Sequence, residues 1–496
     1  MKKFLSLVVI TAFLLSAFCA CSPETSGKTG STQTSTADTS AKTSEISRAN
    51  TPDKLPDDID FGGRTITLFV RGDGNEVWTE SETQELINDA VYNRIQRVED
   101  RLKCKIEVYN AGGANTDMLA AIRNQVNTGS SECDLAVCPR YYSISLAPEG
   151  CLVNLTNYSN YIDFDAPWYQ KGFIKAATIG LDKIYFVTGD ASYSSFTIAQ
   201  GLAFNKKVYE DNLHTSADEL YQLVLDKKWT LDKMIEICKG VYQDDGNGQA
   251  DDKDIYGFGI TPNAAMIPYV VGCGVELSKY DDDGMPELAL NTPKTVEFVA
   301  KTIDLLNNTT GVFNPGTSQE AYDLTIAKFK GGTLMMTKCD IKDLGSYRDM
   351  SDDYGMLPFP MYDENQDNYR SYVGDYSTMW AIPKTAEDIN SSAIFLEAFS
   401  ADGYRYVTPT IYETALKKAY ARDDKLSQML DIINSTVTYD FASLHSSKLE
   451  GIEYLLIGVF GTKGSNFSST YEAKEPAITA ALEKLKADYE NVFDEE

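Results

Sequence analysis

Segments in which every second residue is apolar alternate along the chain with segments whose apolar residues have helical spacing. This order constrains the fold more than any other feature of the chain. Thr65–Val70 alternates, Leu86–Leu102 places its apolar residues on one helical face, and Cys104–Val108 alternates again. The same order returns after Lys183 and after Tyr354. Strands that alternate with helices form βαβ units around a mostly parallel sheet. The sequence therefore predicts an α/β protein.

The stretch Trp229–Phe258 joins an amphipathic helix to a loop rich in short oxygen-bearing side chains. Thr230 is placed to cap the helix. If Asp254 is the twelfth position of a calcium loop, Gly248 takes the glycine position, while Gln243 stands where Asp is usual. We predict a structural calcium site without a catalytic role; the alternative is a solvated loop of turns. The candidate ligands are Asp245, Asn247, Gln249, Asp251 and Asp254.

The N-terminal residues are predicted to export the chain and to anchor it to a membrane. Two lysines precede the apolar run Phe4–Phe18, which is short for a membrane span and typical of a signal peptide. Cys21 lies in a context that resembles a bacterial lipobox, so we predict a signal peptide over 1–21 and a lipid on Cys21; a plain secretory signal is the alternative. Residues 22–57 are rich in Ser and Thr, which predicts a disordered tether.

The acidic composition excludes one class of partner. The chain has a formal net charge of −28, and nucleic-acid binding needs clusters of Lys and Arg that neutralise phosphates. The same charge disfavours strongly anionic ligands, although a local pocket can differ from the overall field. We therefore predict no nucleic-acid partner.

Cysteine and histidine do not form the patterns of a catalytic centre. Of nine cysteines, two lie in the signal region, so an odd number remains and cannot all pair. No spacing among them is typical of zinc. His214 and His445 are the only histidines, which disfavours a metal hydrolase and a Ser-His triad. We predict that the protein requires no cofactor.

Several short motifs carry a family resemblance. Besides Trp229–Phe258, they are DFGGRTIT from Asp60, NDAVYNR from Asn88, FKGGTLMM over Phe329–Met336, WAIPKTA from Trp380 and VTPTIYE from Val407. Their order resembles that of bacterial extracellular solute-binding proteins of the family 1 type, in a clostridial-type branch. Those proteins are the lipid-anchored, ligand-capturing subunits of ABC importers.

The resemblance implies a fold and a mode of action. The fold would be two-lobed and periplasmic-binding-protein-like (type II), with mostly parallel sheets flanked by helices and a hinged cleft that closes on its ligand. The first lobe would comprise 58–190 and 354–404, and the second 191–353 and 405–496. The protein would be a monomer without catalytic activity at the outer face of the bacterial membrane. It would deliver a polar solute, a sugar or oligosaccharide, to ABC permease subunits.

Open α/β sheets bind ligands at the carboxyl ends of their strands, and this rule selects the candidate ligand-binding residues. Aromatic rings stack on the apolar faces of sugars, while Asp and Arg bond to hydroxyl groups. Each residue also has an ordinary explanation, such as a capping or surface role for Asp340 and Asp375 or a loop-end charge for Arg140. The candidates are Arg71, Asp73, Trp78, Arg140, Tyr141, Tyr193, Asp340, Asp375 and Tyr376.

Three other functions remain open at this stage. A receptor for peptides or amino acids has the same two-lobe plan. A surface glycoside hydrolase would need two carboxylates facing each other across a cleft, and no strand-end motif singles out such a pair. An adhesion or scaffolding lipoprotein would have a cleft without a ligand.

Overall fold

The computed structural model describes residues 48–72, 74–110, 112–412, 424–462 and 466–495. Within these residues, eleven strands form two principal sheets and one hairpin. The strands are β1 (Thr65–Val70), β2 (Lys105–Asn110), β3 (Leu135–Pro139), β4 (Gln200–Asn205), β5 (Tyr256–Gly259), β6 (Ser278–Tyr280), β7 (Pro286–Leu288), β8 (Val312–Phe313), β9 (Leu334–Asp340), β10 (Tyr354–Leu357) and β11 (Thr378–Ala381).

Each principal sheet contains one strand that is antiparallel to the strands beside it. The first sheet has the order β11-β3-β1-β2, with β1 parallel to β2 and β3, and β11 antiparallel to β3. The second has the order β10-β4-β9-β5-β8, with β4 antiparallel to β9 and β10. Strands β4 and β11 are each the first that the chain forms after it passes from one sheet to the other. The predicted α/β fold is confirmed, with sheets that are mixed.

Helices cover both sheets. Helices α1 and α12 pack together over the first sheet, and α8, α11 and α13 pack on the second. A π-helical turn, Gly403–Val407, extends α12. The helices are α1 (Leu86–Leu102), α2 (Asn115–Thr128), α3 (Arg140–Ser143), α4 (Lys171–Ala177), α5 (Ser194–Thr197), α6 (Lys206–Leu213), α7 (Asp218–Leu225), α8 (Leu231–Val241), α9 (Ile267–Gly272), α10 (Pro293–Asn308), α11 (Gln319–Lys330), α12 (Ile389–Asp402), α13 (Asp424–Ser435), α14 (Phe441–Leu444), α15 (Leu455–Phe460) and α16 (Phe467–Glu495).

Local sequence explains where these helices begin and end. Helix α8 begins after Thr230, whose side chain accepts a hydrogen bond from the backbone N–H of Lys233, so the predicted cap is confirmed. Helix α1 ends at Lys103, which adopts a left-handed conformation (φ 53°) and donates its backbone N–H to the carbonyl of Glu99. The apolar stripe of α1 is buried against α12, which ties the first helix of the chain to a late one.

One predicted lobe boundary is wrong. The first lobe was predicted to resume at Tyr354, but β10 pairs with β4 in the second sheet, and the chain rejoins the first sheet only at β11. Alternation of apolar residues identifies a strand without saying which sheet it joins. The other lobe boundaries stay predictions.

The predicted tether is also shorter than expected, because residues 48–57 pack on the domain. We call these residues the N-terminal strap. The Asp53 carboxylate forms ion pairs with Arg101 and Arg405, each at 2.7 Å, and Leu55 is buried. The strap is polar, which is why its sequence predicts disorder. Its guanidinium partners lie on α1 and on the π-helical turn, far away in the chain, so the sequence of the strap alone does not reveal them. Residues 22–47, the predicted signal peptide and Cys21 lie outside the described residues.

None of the described cysteines forms a disulfide, and all of them are buried. All seven are free and buried, and burial raises their pKa, to about 12 at Cys104 and Cys138. Because the thiolate is the reactive species, we expect a thiol reagent to modify none of them in a native domain that begins at Arg48, and all of them after unfolding. Rapid modification of the native domain would contradict this expectation.

Among the described residues, no helix is both long enough and apolar enough to cross a bilayer.

Candidate functional site

A cavity of about 610 Å³ is lined by residues that follow β3 of the first sheet and by residues that follow β5 of the second. Arg140 follows β3 of the first sheet and lines the cavity at its base. Ile267 follows β5 of the second sheet by way of a short turn and begins α9, which forms one wall. Helix α4 contributes the opposite wall through Gly172 and Ala176. The volume falls within the range of roughly 300–1,000 Å³ that is usual for small-ligand sites.

The walls of the cavity are apolar and aromatic. Helix α9 presents Ile267, Val270 and Val271, and the rings of Tyr280 and Phe441 lie 6.0 Å apart, edge to face. Such walls can pack against the apolar faces of a ring-shaped ligand, while polar groups at the base fix its orientation.

Arg140 is the centre of a polar network at the base. Its side chain is 2% exposed and forms an ion pair with Asp375. One of its terminal nitrogens also donates to the hydroxyl of Tyr372 at 2.9 Å. The other oxygen of Asp375 accepts a hydrogen bond from the Tyr454 hydroxyl at 3.0 Å. The network therefore joins the end of β3, the segment before β11 and the segment before α15.

Three buried polar atoms of the cavity lining have no hydrogen-bond partner. They are Nε of Arg140, the hydroxyl oxygen of Tyr439 and Oε2 of Glu453. Unpartnered buried polar groups are costly and rare, and each calls for a specific explanation.

Glu453 is the buried carboxyl of the cavity. Its residue is 6% exposed, and its other carboxylate oxygen accepts a hydrogen bond from the Ser443 hydroxyl. Burial and, to a smaller extent, the nearby Asp375 carboxylate raise the pKa of Glu453 to about 7, although Arg140 and the Ser443 hydroxyl act against the shift. The cavity thus contains an acidic group that titrates near neutral pH.

Two contacts join α4 and the turn after it to the hairpin of β6 and β7. The Tyr280 hydroxyl on β6 donates to the carbonyl of Ala176 on α4 at 2.7 Å. Close by, the backbone N–H of Gly180 donates to the carbonyl of Gly284 at 3.1 Å. Gly284 has φ 73°, and a Cβ at this position would lie 2.3 Å from the backbone nitrogen of Leu181, so the close approach depends on glycine.

The structure brings together three of the predicted ligand-binding residues. Arg140 and Asp375 form the ion pair at the base, and the ring of Tyr141 lies 6.3 Å from that of Tyr454. Tyr376 is 68% exposed, and the Arg71 guanidinium lies 5.9 Å from its ring centre, so this pair lies at the solvent-exposed edge of the first sheet.

The other predicted residues lie elsewhere. Trp78 and Tyr193 are partly buried and pack on the core of the first sheet. Asp340 forms an ion pair with Lys338 at the end of β9, apart from the lining of the cavity. Asp73 lies outside the described residues. A ligand role for these residues stays a prediction.

Sequence reasoning missed two cavity residues of the C-terminal region, Tyr439 and Glu453, and Tyr454, which bonds to Asp375. Glu453 carried one usable signal, because it is an acidic residue two positions before the apolar run Leu455–Phe460. Tyr439 precedes Asp440, which caps α14 by accepting from the backbone N–H groups of Ala442 and Ser443. No strand ends near these residues, so the strand-end rule could not select them.

The acidic loop after α8 brings three carboxylates together. Ligand oxygens of Asp244, Asp245 and Asp254 lie within 4.8 Å of one another. Asp254 already accepts hydrogen bonds from the backbone of Asp245 at 2.9 Å and from the Tyr242 hydroxyl at 2.8 Å. The predicted ligands outside this group are Asn247, Gln249 and Asp251. Calcium binding at the loop stays a prediction, and a melting temperature that falls when a chelator is added would support it.

Comparison with known proteins gives a match in fold. No protein-family model and no curated protein sequence matches the chain. The cyclic alpha-maltosyl-1,6-maltose binding protein from Arthrobacter globiformis aligns with a TM-score of 0.59 and 15% identity, over 85% of this chain and 100% of its own. A cyclo/maltodextrin-binding protein complexed with maltotetraose gives 0.58 and 13%, over 85% and 97%. UgpB from Mycobacterium tuberculosis, in complex with glycerophosphocholine, gives 0.54 and 14%, over 85% and 99%. The chain therefore has the two-lobe α/β fold of these binding proteins.

Proposed function

We propose that the protein is an extracytoplasmic solute receptor of an ABC importer that captures a sugar or oligosaccharide. The observation that carries the proposal is the cavity, whose aromatic walls enclose three buried polar atoms without partners. Hydroxyl groups of a sugar both donate and accept hydrogen bonds, so one ring can satisfy an arginine, a tyrosine and a carboxyl group together. The fold neighbours that bind maltose-type sugars agree with this ligand class.

The proposed mechanism is hinged capture. The ligand binds in the cavity and favours the closed form, in which the Tyr280 hydroxyl bonds to the carbonyl of Ala176. The closed form then docks on the permease, and a lipid on Cys21 holds the receptor at the outer face of the membrane. In this mechanism the cavity binds and releases the solute unchanged, without catalysis.

A thermal-shift screen tests the proposal. We expect a domain that begins at Arg48 to be stabilised by at least one sugar or oligosaccharide, by roughly 2.7 kcal/mol at 100 times its dissociation constant. The screen includes peptides and amino acids as well as sugars. Stabilisation by peptides alone would reject the carbohydrate assignment, and an unchanged scattering radius with every stabilising solute would reject hinged capture.

A single hydroxyl group provides a matched test of the cavity. The hydroxyl of Tyr439 is buried and has no partner, so Tyr439→Phe is expected to leave the melting temperature of the free domain unchanged. The same substitution is expected to weaken binding of the stabilising solute about fivefold to tenfold, because the solute loses a buried hydrogen bond. Tyr362→Phe is the control, since the Tyr362 hydroxyl contacts Glu297 outside the cavity. Equal affinities in the three proteins would place the ligand elsewhere.

A further inference from the structure

Two of the segments in which the chain passes between the sheets change their packing within a few residues. In the first segment, Ala191 is buried in a core with β1 and β3, whereas Phe196 is buried in a core with β4, β9 and β10. In the second segment, Tyr404 packs on the former core and Val407 is buried in the latter. A rotation of one sheet relative to the other would therefore change the backbone dihedral angles of both segments. We call them the two passages; they are residues 189–196 and 403–408.

The two passages contact each other directly. A Cβ at Gly403 would lie 2.0 Å from the carbonyl oxygen of Asp190, so the two backbones touch where the passages begin. The Asp190 carboxylate also accepts a hydrogen bond from the hydroxyl of Thr408. Asp190 precedes Ala191 in the core of the first sheet, and Thr408 follows Val407 in the core of the second. This hydrogen bond therefore connects the first-sheet end of one passage with the second-sheet end of the other.

Arg48 of the N-terminal strap bonds to both passages. Its Nε donates to the carbonyl of Tyr404 at 2.7 Å, and its guanidinium lies 4.1 Å from the centre of the Tyr404 ring. A terminal nitrogen lies 3.4 Å from the oxygen of Asp190 that accepts from Thr408. Burial raises the pKa of Asp190 to about 6, although Arg48 and the Thr408 hydroxyl act against the shift, so this carboxyl is ionised at pH 7.5. Arg48 thus supplies the positive charge that compensates Asp190.

The Arg48 side chain also lines a crevice between elements of the two sheets. The crevice has a volume of about 450 Å³, and its lining includes Trp168 and Ser435. Trp168 is buried in the core with β1 and β3, whereas Ser435 is the last residue of α13, which packs on β10. A motion of one sheet relative to the other would change the width of this crevice. The contacts of Arg48 would then differ between an open and a closed form.

We propose that the N-terminal strap is a clasp that holds the two passages in the arrangement of this structure, so that docking of the strap and binding of the solute strengthen each other. The inference rests on the proposed receptor function, in which this arrangement is the closed form. Contacts that exist in one of two conformers favour that conformer by their own free energy. Because such coupling is reciprocal, release of the strap weakens solute binding, and bound solute holds the strap in place.

The coupling is indirect, because the lining of the cavity includes no residue of the strap. The strap also bonds to the second passage beyond Arg48, since Nε of Arg405 donates to the carbonyl of Thr51 at 2.8 Å and the Arg405 guanidinium pairs with Asp53. The strap thus gives the N-terminal part of the chain a means to regulate solute capture at a distance from the cavity.

Arg48→Met tests the coupling in the chain that begins at Ser22, which keeps the natural residues before the strap. The substitution is expected to weaken binding of the sugar that stabilises the protein most in the thermal-shift screen about threefold to fivefold at pH 7.5, because a cation–π contact and a partly exposed ion pair are lost. Lys54→Met is the matched control. Lys54 is the other cation of the strap and donates to the carbonyl of Ser159 at 2.7 Å, outside the passages, so its loss is expected to leave the affinity unchanged.

Hydrogen exchange tests the clasp without a solute. In the free protein, Arg48→Met is expected to exchange the backbone amides of both passages about threefold faster than the unmodified chain, and Lys54→Met is expected to match the unmodified chain. In the unmodified chain, the bound sugar is expected to slow exchange in the strap.

The outcomes separate the clasp from the receptor function. Unchanged or higher affinity of Arg48→Met, or unchanged exchange in the passages, would overturn the inference, and the receptor function would stand as long as a sugar binds the unmodified chain. If no sugar binds the unmodified chain, the receptor function is rejected and the coupling with it.

Discussion

Arg140→Met is expected to lower the free energy of unfolding by about 3–5 kcal/mol, the largest effect that we expect of a single substitution in this protein. Arg140 is 2% exposed and Asp375 17% exposed, and the ion pair between them is held by further hydrogen bonds from Tyr372 and Tyr454. Removing the guanidinium leaves the Asp375 carboxylate in a buried site without its charge partner. Removing one partner of a buried ion pair destabilises a protein strongly, because the other charge stays buried without compensation. Replacing both partners by apolar residues of similar volume costs much less.

The same substitution is expected to abolish solute binding. Arg140 lines the cavity, so a ligand bound there would lose the nearby guanidinium charge. Without the nearby positive charge, Glu453 is also expected to hold its proton to higher pH, because Arg140 is the nearby cation that opposes the rise in its pKa.

A matched surface arginine provides the control for this prediction. Arg123 forms an ion pair with Glu149 at 2.7 Å, but these side chains are 39% and 28% exposed. Arg123→Met is expected to cost at most about 1 kcal/mol. Denaturant unfolding at pH 7 measures both variants, and Arg140→Met combined with Asp375→Leu is expected to recover part of the loss. Equal destabilisation by the two single substitutions would show that the buried network has no special role.

The sequence sufficed for the α/β fold because the two apolar periodicities are properties of local segments. Alternation identified β1 and β2, and helical spacing identified α1 between them. The strand-end rule then selected Arg140, because the residue after β3 must lie at the ligand-facing edge of its sheet. Both successes rest on short-range patterns that the final fold preserves.

The rest of the site could not be predicted because it depends on which distant segments meet. Glu453 and Tyr439 reach the cavity from the C-terminal region, three hundred or more residues after the end of β3. Asp340 is the last residue of β9 and so lies where the rule requires, yet Lys338 on the same strand forms an ion pair with it. Sequence patterns identify whether a segment forms a strand or a helix. Which other segments it contacts depends on how the whole chain packs.

Asp53→Ala in the N-terminal strap is expected to lower the free energy of unfolding by about 2–3 kcal/mol. The Asp53 side chain is 3% exposed, whereas Arg101 and Arg405 are 27% and 14% exposed, so solvent screens the loss more than it does at Arg140. The two arginines come from α1 and from the turn that extends α12, and Asp53 holds them together. A domain that begins at Asp58 is expected to lose at least as much, since it also lacks buried Leu55.

The effect of Asp53→Ala is expected to depend on pH in a direction that the ion pairs fix. Burial acts to raise the pKa of Asp53, but hydrogen bonds from Arg101 and Arg405 outweigh it and lower the pKa below the ordinary value of 3.8. A carboxyl with a lowered folded-state pKa stabilises the protein above its unfolded pKa, and this contribution is lost as the pH falls through the folded value. The difference between Asp53→Ala and the unmodified domain is therefore expected to be full at pH 7 and to shrink below about pH 4. Asp57→Ala, at an exposed position of the same strap, is the control and is expected to change stability by less than about 0.5 kcal/mol. If the strap were only a tether, Asp53→Ala, Asp57→Ala and the domain that begins at Asp58 would all have the same free energy of unfolding as the unmodified domain.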